Sequence, residues 1–238
     1  MGVVLCPPAF HEAVNSHRAL RQLADQFARA GVHALRFDYG GTGDSAGEAG
    51  RFRIGNCVRD VLAASEELRS ARGLAQVGLV GLRLGASVAA LAAAECPELP
   101  FLVLWEPITD GSPYLQELRQ MQRAWVDFEA QERPAARRLA GEHEVLGYPL
   151  PPELGADLEA LALLPGVRIA ARTLLIDEGA GARTEELGRA LERVGSRVEH
   201  RRGDHGRVWT RELAGEQAPV PRALLAEIVE WASRGGAP

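Results

Sequence analysis

The stretch Gln76 to Leu91, QVGLVGLRLGASVAAL, decides how the rest of the chain is read. Val77 to Val80 is an apolar run of strand length, Gly81-Leu82-Arg83-Leu84-Gly85 follows it, and Ala86 to Ala94 is a run of small residues suited to a helix. Glycines at both ends of a five-residue turn leave room for a strained backbone that lifts the central side chain above a sheet. Strand, turn and helix in this order form a nucleophile elbow, whose usual pattern is G-x-S-x-G. The spacing is kept here, and the central residue is Arg83.

Working outward, the segments on either side alternate between strand and helix. Gly2 to Cys6 is a short apolar strand stopped by Pro7-Pro8. The stretch from Pro7 to Asn15 reads as a loop carrying Phe10, His11 and Glu12, after which Asn15 or Ser16 caps a helix to Ala30 with Leu20, Leu23, Phe27 and Ala30 at helical spacing. Val32 to Phe37 is a second strand, and Gly55 to Arg72 is a helix with Val58, Val61, Leu62, Ser65 and Leu68 on one face. The Gly40-Gly41-Thr42-Gly43 turn between them does not match G-x-G-x-x-G and no helix starts behind it, so it is a poor phosphate cradle.

Beyond the elbow, Phe101 to Trp105 is a fourth strand. From Glu106 to Pro165 the alternation stops: helices are expected over Tyr114 to Gln131, Pro134 to Val145 and Pro152 to Leu163, with no strand among them. Tyr114, Leu118, Met121, Trp125 and Phe128 mark a helix face that would pack on top of the sheet. Alternation resumes with a strand at Arg172 to Asp177, a helix at Thr184 to Val194, a strand at Arg197 to Arg202, the loop Gly203-Asp204-His205-Gly206 and a closing helix from Pro221 to Arg234. Six strands alternating with helices predict an α/β fold with a mostly parallel sheet, right-handed crossovers and helices on both faces. Residues 1–105 and 166–238 would form the core, and 106–165 a helical lid over the strand ends.

Composition narrows the chemistry. The chain has 238 residues, 46% hydrophobic residues and a net charge of -5 with both signs interspersed. That pattern offers no basic stripe for nucleic acid and no polybasic membrane anchor, and no apolar run is long enough to span a bilayer. Every basic residue other than histidine is arginine, which excludes a Schiff-base lysine and a P-loop lysine. Cys6, Cys57 and Cys96 are widely spaced without a C-x-x-C pair, and His11 and His17 do not make H-E-x-x-H, so no metal site is expected. A soluble cytoplasmic protein with a small-molecule ligand, no cofactor and an unspecified oligomeric state is the expectation.

The segments Phe37-Asp38-Tyr39-Gly40-Gly41-Thr42-Gly43-Asp44-Ser45, the G-x-R-x-G elbow and a histidine in a glycine-flanked loop after the last strand resemble the α/β-hydrolase superfamily, in its serine-aminopeptidase-like branch. More narrowly, Cys6-Pro7-Pro8-Ala9-Phe10-His11-Glu12, Trp105-Glu106-Pro107 with Asp110-Gly111, and Leu146-Gly147-Tyr148-Pro149-Leu150 resemble hydrolase-like proteins associated with the exosortase A system. The superfamily likeness implies the α/β-hydrolase fold with its first two strands missing, and a triad in the order serine, acid, histidine. On that pattern Arg83 stands at the serine, His205 at the histidine, and Asp177 or Glu178 near the acid. The narrower likeness implies a setting of surface-polysaccharide production and protein sorting.

A guanidinium stays protonated, so Arg83 cannot attack a carbonyl as serine does. What the scaffold keeps is an oxyanion hole, from the backbone N–H of Leu84 and a second N–H at Phe10 or His11. Arg83 has two readings: a clamp on an anionic or acyl ligand, or an internal ion pair with Glu106, Asp110, Asp177 or Glu178. His205 suits acid–base work. His11 and Glu12 either add polar groups to the site or form a solvated loop pair. Ser87 lies a turn inside the elbow helix, away from any nucleophile position, and Ser45 reads as a loop anchor. Two functions follow. One is an enzyme, either a non-standard hydrolase or a derived lyase, epimerase or cyclase using His205. The other is an inactive relative that serves as a ligand-binding or accessory protein.

Overall fold

The computed structural model describes residues 1–96, 98–132, 143–163, 170–179, 181–203, 206–210 and 220–234. Six strands form one sheet: β1 (Gly2–Cys6), β2 (His33–Arg36), β3 (Val77–Leu82), β4 (Phe101–Trp105), β7 (Arg172–Asp177) and β8 (Arg197–Arg202). Their order is β2-β1-β3-β4-β7-β8, and every neighbouring pair is parallel. The four inner strands are apolar almost throughout because both faces are covered, as parallel sheets require. The charged β8, RVEHRR, lies at one edge, where charge discourages pairing with another chain.

Side chains alternate between two apolar layers. Val3 and Leu5 point to one face, where helices α1 (Phe10–Arg29) and α7 (Arg222–Ser233) bring Leu23, Phe27, Leu225 and Ile228. Val4 and Cys6 point to the other, against α2 (Ile54–Arg72), α3 (Leu84–Ala93) and α6 (Ala182–Arg193). Alternation of this kind follows from the two-residue period of a strand. Cys6 and Cys57 are small residues of the second layer, and burial pushes both thiols far up.

The segment after β4 departs from the sequence expectation in two places. Helix α4 runs over Gly111–Glu132, and α5 over Pro152–Ala160, but Glu144–Val145 (β5) and Tyr148–Pro149 (β6) pair as an antiparallel hairpin. Leu146 and Gly147 sit at its turn with φ of 50° and 84°, the positive pair that a tight two-residue hairpin turn demands. The C-terminal part of the helix expected over Pro134 to Val145 is therefore strand, and its 134–142 portion lies outside the described residues. The stripe on α4 also splits. Tyr114 and Leu118 are buried, whereas Trp125 and Phe128 are 42% and 65% exposed, so only the first half of the helix packs down.

A third departure matters more for function. Helix α1 starts at Phe10, five residues ahead of the expected cap, so Asn15 and Ser16 are interior. The Ser16 hydroxyl donates to the Glu12 carbonyl one turn back instead of capping. Phe10, His11 and Glu12 thus form the first turn of a helix at the C-terminal end of β1, held in a fixed geometry.

Candidate functional site

Three strands leave the sheet at the same end through residues with a strained backbone. Phe10 follows β1 with φ 55°, Arg83 follows β3 with φ 54°, and Glu106 follows β4 with φ 49°. Non-glycine residues in this region cost on the order of 1–3 kcal/mol each, and such strain gathers at functional sites. The Arg83 N–H donates to the Trp105 carbonyl at 2.9 Å and the Glu106 N–H to the Ile176 carbonyl at 2.8 Å, so the sheet ladder carries each turn to the residue that needs it.

The elbow glycines are required sterically. A Cβ on Gly81 would lie 2.4 Å from Ala86 Cα, and one on Gly85 would lie 2.2 Å from the Pro7 carbonyl oxygen. Helix α3 therefore lies close against both its own strand and the loop leaving β1. Leu84 is the first residue of α3 and Phe10 the first of α1, so neither N–H has an acceptor within its own helix. These are the groups expected to form an oxyanion hole, and both open helices at the strand ends. Ser87 is fully buried with its hydroxyl donating to the Ile108 carbonyl at 2.7 Å, which leaves no room for a nucleophilic role.

At the apex, Arg83 is paired with two carboxylates and lies against two aromatic rings. Its Nε donates to Glu12 Oε1 at 2.9 Å and its Nη2 to Glu117 Oε2 at 3.3 Å. The rings of Tyr114 and Trp209 each lie 5.3 Å from the guanidinium carbon, within cation–π range. The Tyr114 hydroxyl donates to the other Glu12 oxygen at 3.0 Å. Glu12 is 2% exposed, so the alternative of a solvated loop pair is wrong for it: the carboxylate is a buried counter-ion. None of the four carboxylates expected for Arg83 fills that role; Glu12 and Glu117 do. His11 beside it has a buried Nδ1 without a described partner, and burial, opposed by Glu117, lowers its pKa and favours the neutral ring.

The acid positions are also distinct from expectation. Asp177, at the end of β7, is 4% exposed, and its Oδ2 accepts from His200 Nε2 at 3.0 Å. His200 Nδ1 in turn lies 3.3 Å from Arg202 Nη2, a guanidinium nitrogen that can only donate, so Nδ1 accepts there while Nε2–H donates to Asp177. The described imidazole partner of Asp177 thus comes from β8 itself, opposite Leu175, whereas His205 lies outside the described residues. Glu178 accepts from Arg207 Nε at 2.7 Å through Oε2, and its N–H donates to Glu106 Oε1 at 2.6 Å. Burial, with the nearby Glu178 and Asp177 charges, raises the Glu106 pKa. Of these groups, Glu106, Asp177, Glu178 and Arg207 line an open cavity of about 540 Å³ at the strand ends, next to Arg83.

A six-stranded parallel sheet flanked by helices, with an elbow between β3 and α3, defines the α/β-hydrolase fold. The chain belongs to the family described as serine aminopeptidase, S33, whose model matches residues 4–145, well over half of its length. Among solved structures it is similar to an esterase from Pyrococcus furiosus at 16% identity, covering 98% of this chain and 81% of that one with a TM-score of 0.60. It is likewise similar to the mouse α/β-hydrolase domain-containing protein 10 at 18% identity, covering 98% and 90% with a TM-score of 0.56. A fungal esterase from Rhizomucor miehei shares 17% identity, covering 98% and 73% with a TM-score of 0.60. Likeness at such identities concerns the fold. No curated protein sequence matches the chain. No helix among the described residues is long and apolar enough to cross a membrane.

Proposed function

We propose that this protein is an α/β-hydrolase-fold relative in which arginine replaces the elbow serine, and that it binds a small molecule without forming an acyl-enzyme. The observation that carries the reading is the state of Arg83. It sits at the elbow apex with the strained backbone of a nucleophile, yet two of its three guanidinium nitrogens are committed to Glu12 and Glu117. A guanidinium clamped between a buried carboxylate and two aromatic rings neither attacks a carbonyl nor releases those hydrogen bonds to a ligand anion at low cost. The anion-clamp reading of Arg83 therefore has less support than internal pairing. In the narrower resemblance, the setting is an accessory role in a polysaccharide or protein-sorting pathway.

Residues 106–165 act in this account as a lid. Its first helix is tied to the elbow through Tyr114 to Glu12 and Glu117 to Arg83, and its last is tied to α2 by a two-pronged pair between Arg53 and Asp157 at 2.6 and 2.7 Å. Arg83 is then a latch between core and lid in the place where the fold ordinarily keeps its nucleophile.

A derived acid–base enzyme using His205 is the second reading. It is favoured by Asp177, which is buried, lines the cavity and keeps one carboxylate oxygen without a hydrogen-bond partner among the described residues. The test is hydrolysis of short- and medium-chain p-nitrophenyl esters by the wild type, Arg83→Ser and His205→Ala. The binding reading expects no turnover by the wild type. Turnover by the wild type that His205→Ala abolishes would overturn it.

A further inference from the structure

We infer that the free edge of β2, with the cationic side of α1 beside it, is a docking site for an acidic peptide segment of a partner protein, taken up in extended conformation as a further strand of the sheet. β2 stands at one end of the strand order and pairs with β1 alone. The His33 N–H donates to the Met1 carbonyl, on the β1 side. Backbone groups alternate in direction along a strand, so those of Ala34 and Arg36 point away from the sheet. Pairing to such an edge holds a peptide through its main chain, and the side chains that flank the edge select among peptides.

Charge complementarity identifies the occupant. Both signs are interspersed along the sequence, yet folding gathers cations at this edge. Arg36 Nη2 lies 3.1 Å from His17 Nδ1, which places the His17 side of α1 against β2. Arg18 and Arg21 are exposed within about one turn of His17 on that helix. Among the described residues, none of Arg18, Arg21 and Arg36 has a carboxylate within ion-pair distance. At the opposite edge of the sheet, by contrast, Arg201 pairs with Glu227 and Arg202 with Glu185. Of the two carboxylates on α1, Glu12 is buried against Arg83, and Asp25 forms no ion pair among the described residues. Asp38, just past β2, accepts from the Asp44 N–H. The edge thus combines open backbone groups, a partly exposed Leu35 toward one face and uncompensated guanidinium groups toward the other. A second copy of the chain would bring these cations against themselves, and a basic peptide would meet them by repulsion.

The probe is a terminally blocked hexapeptide of alternating glutamate and valine, titrated into the whole chain at low salt and followed by calorimetry and backbone amide NMR. One control is the same peptide with lysine in place of glutamate. The other is the acidic peptide with its backbone amides N-methylated, which keeps the charge and removes strand pairing. The expected result is saturable binding of the acidic peptide with amide shifts at residues 33–36, and both controls at least tenfold weaker. Ala34→Pro deletes an outward N–H, leaves every charge in place and should weaken the peptide fivefold or more. Arg21→Gln and Arg36→Gln keep the backbone edge and should each weaken it threefold or more; as surface replacements they decide the matter if proline disturbs the strand. No binding at millimolar concentration, equal affinity for either control, or unchanged affinity in all three variants would each overturn the inference. Self-association of the chain that Ala34→Pro abolishes would overturn it too, by giving the edge to a second copy.

Discussion

Arg83 Nε lies 2.9 Å from Glu12 Oε1, which joins the apex of the elbow to the first turn of α1 across 71 residues of sequence. Both side chains are nearly sheltered from water, at 12% and 3% exposure. A pair in that environment is costly to break, because removing one partner leaves the other as an uncompensated buried charge.

Replacing Arg83 by serine should therefore destabilise the protein by about 3–5 kcal/mol, although serine is the residue the elbow pattern usually carries. Adding Glu12→Gln to Arg83→Ser should recover a substantial part of that loss. Urea unfolding of the two single variants and the double variant gives the coupling directly. Additive effects would mean that the ion pair holds little.

The turn itself predicts opposite outcomes for two glycines. Gly85→Ala places a methyl group into the Pro7 and Cys6 carbonyl oxygens at 2.2 and 2.3 Å, and should cost on the order of 3 kcal/mol because backbone cannot yield as a side chain does. Gly155 lies inside α5 with nothing within 4 Å of the added methyl, so Gly155→Ala should stabilise by about 0.5–1 kcal/mol. Thermal melting of both variants beside the wild type checks the contrast.

Glu106 carries a pH prediction. Burial raises its pKa in the folded protein, so the folded state holds this proton more tightly than the unfolded chain does. Its contribution is present below the ordinary glutamate value and is lost as pH rises through the raised one. Glu106→Gln retains an oxygen to accept the Glu178 N–H and has no charge to bury. The variant should thus gain on the wild type as pH rises through that interval, as measured by denaturant unfolding at a series of pH values. A gap that stays constant, or that moves the other way, would contradict the assignment.

The elements that positioned the site were readable because each rests on a local rule. Gly2–Cys6, Phe101–Trp105, Arg172–Asp177 and Arg197–Arg202 coincide with the expected strands, three of them apolar runs with clear stops. The elbow was marked by glycines whose missing side chains the structure shows to be required. The start of α1 was obscured by Asn15 and Ser16, which mimic a cap while lying inside the helix. A signal was present nonetheless: carrying the stripe Phe27, Leu23, Leu20 back through Ser16 puts Glu12 on the buried face, where a carboxylate demands a cation. The Asp177–His200 pair depended on the register of β7 against β8, which no single segment encodes. The hairpin at 144–149 is two residues per strand, too short for a periodic signal, with only Leu146-Gly147 to mark its turn. His205, singled out by its glycine neighbours, lies outside the described residues and keeps its role as a proposal.

The most direct test of the central claim is intact-mass measurement after exposure of the wild type to a fluorophosphonate, a reagent that attaches covalently to activated serine. With Arg83 at the elbow and Ser87 sealed against Ile108, the account predicts no mass increase over hours at neutral pH. A stoichiometric adduct localised to any serine would contradict it, because a working nucleophile would then exist in a site that is argued to have none.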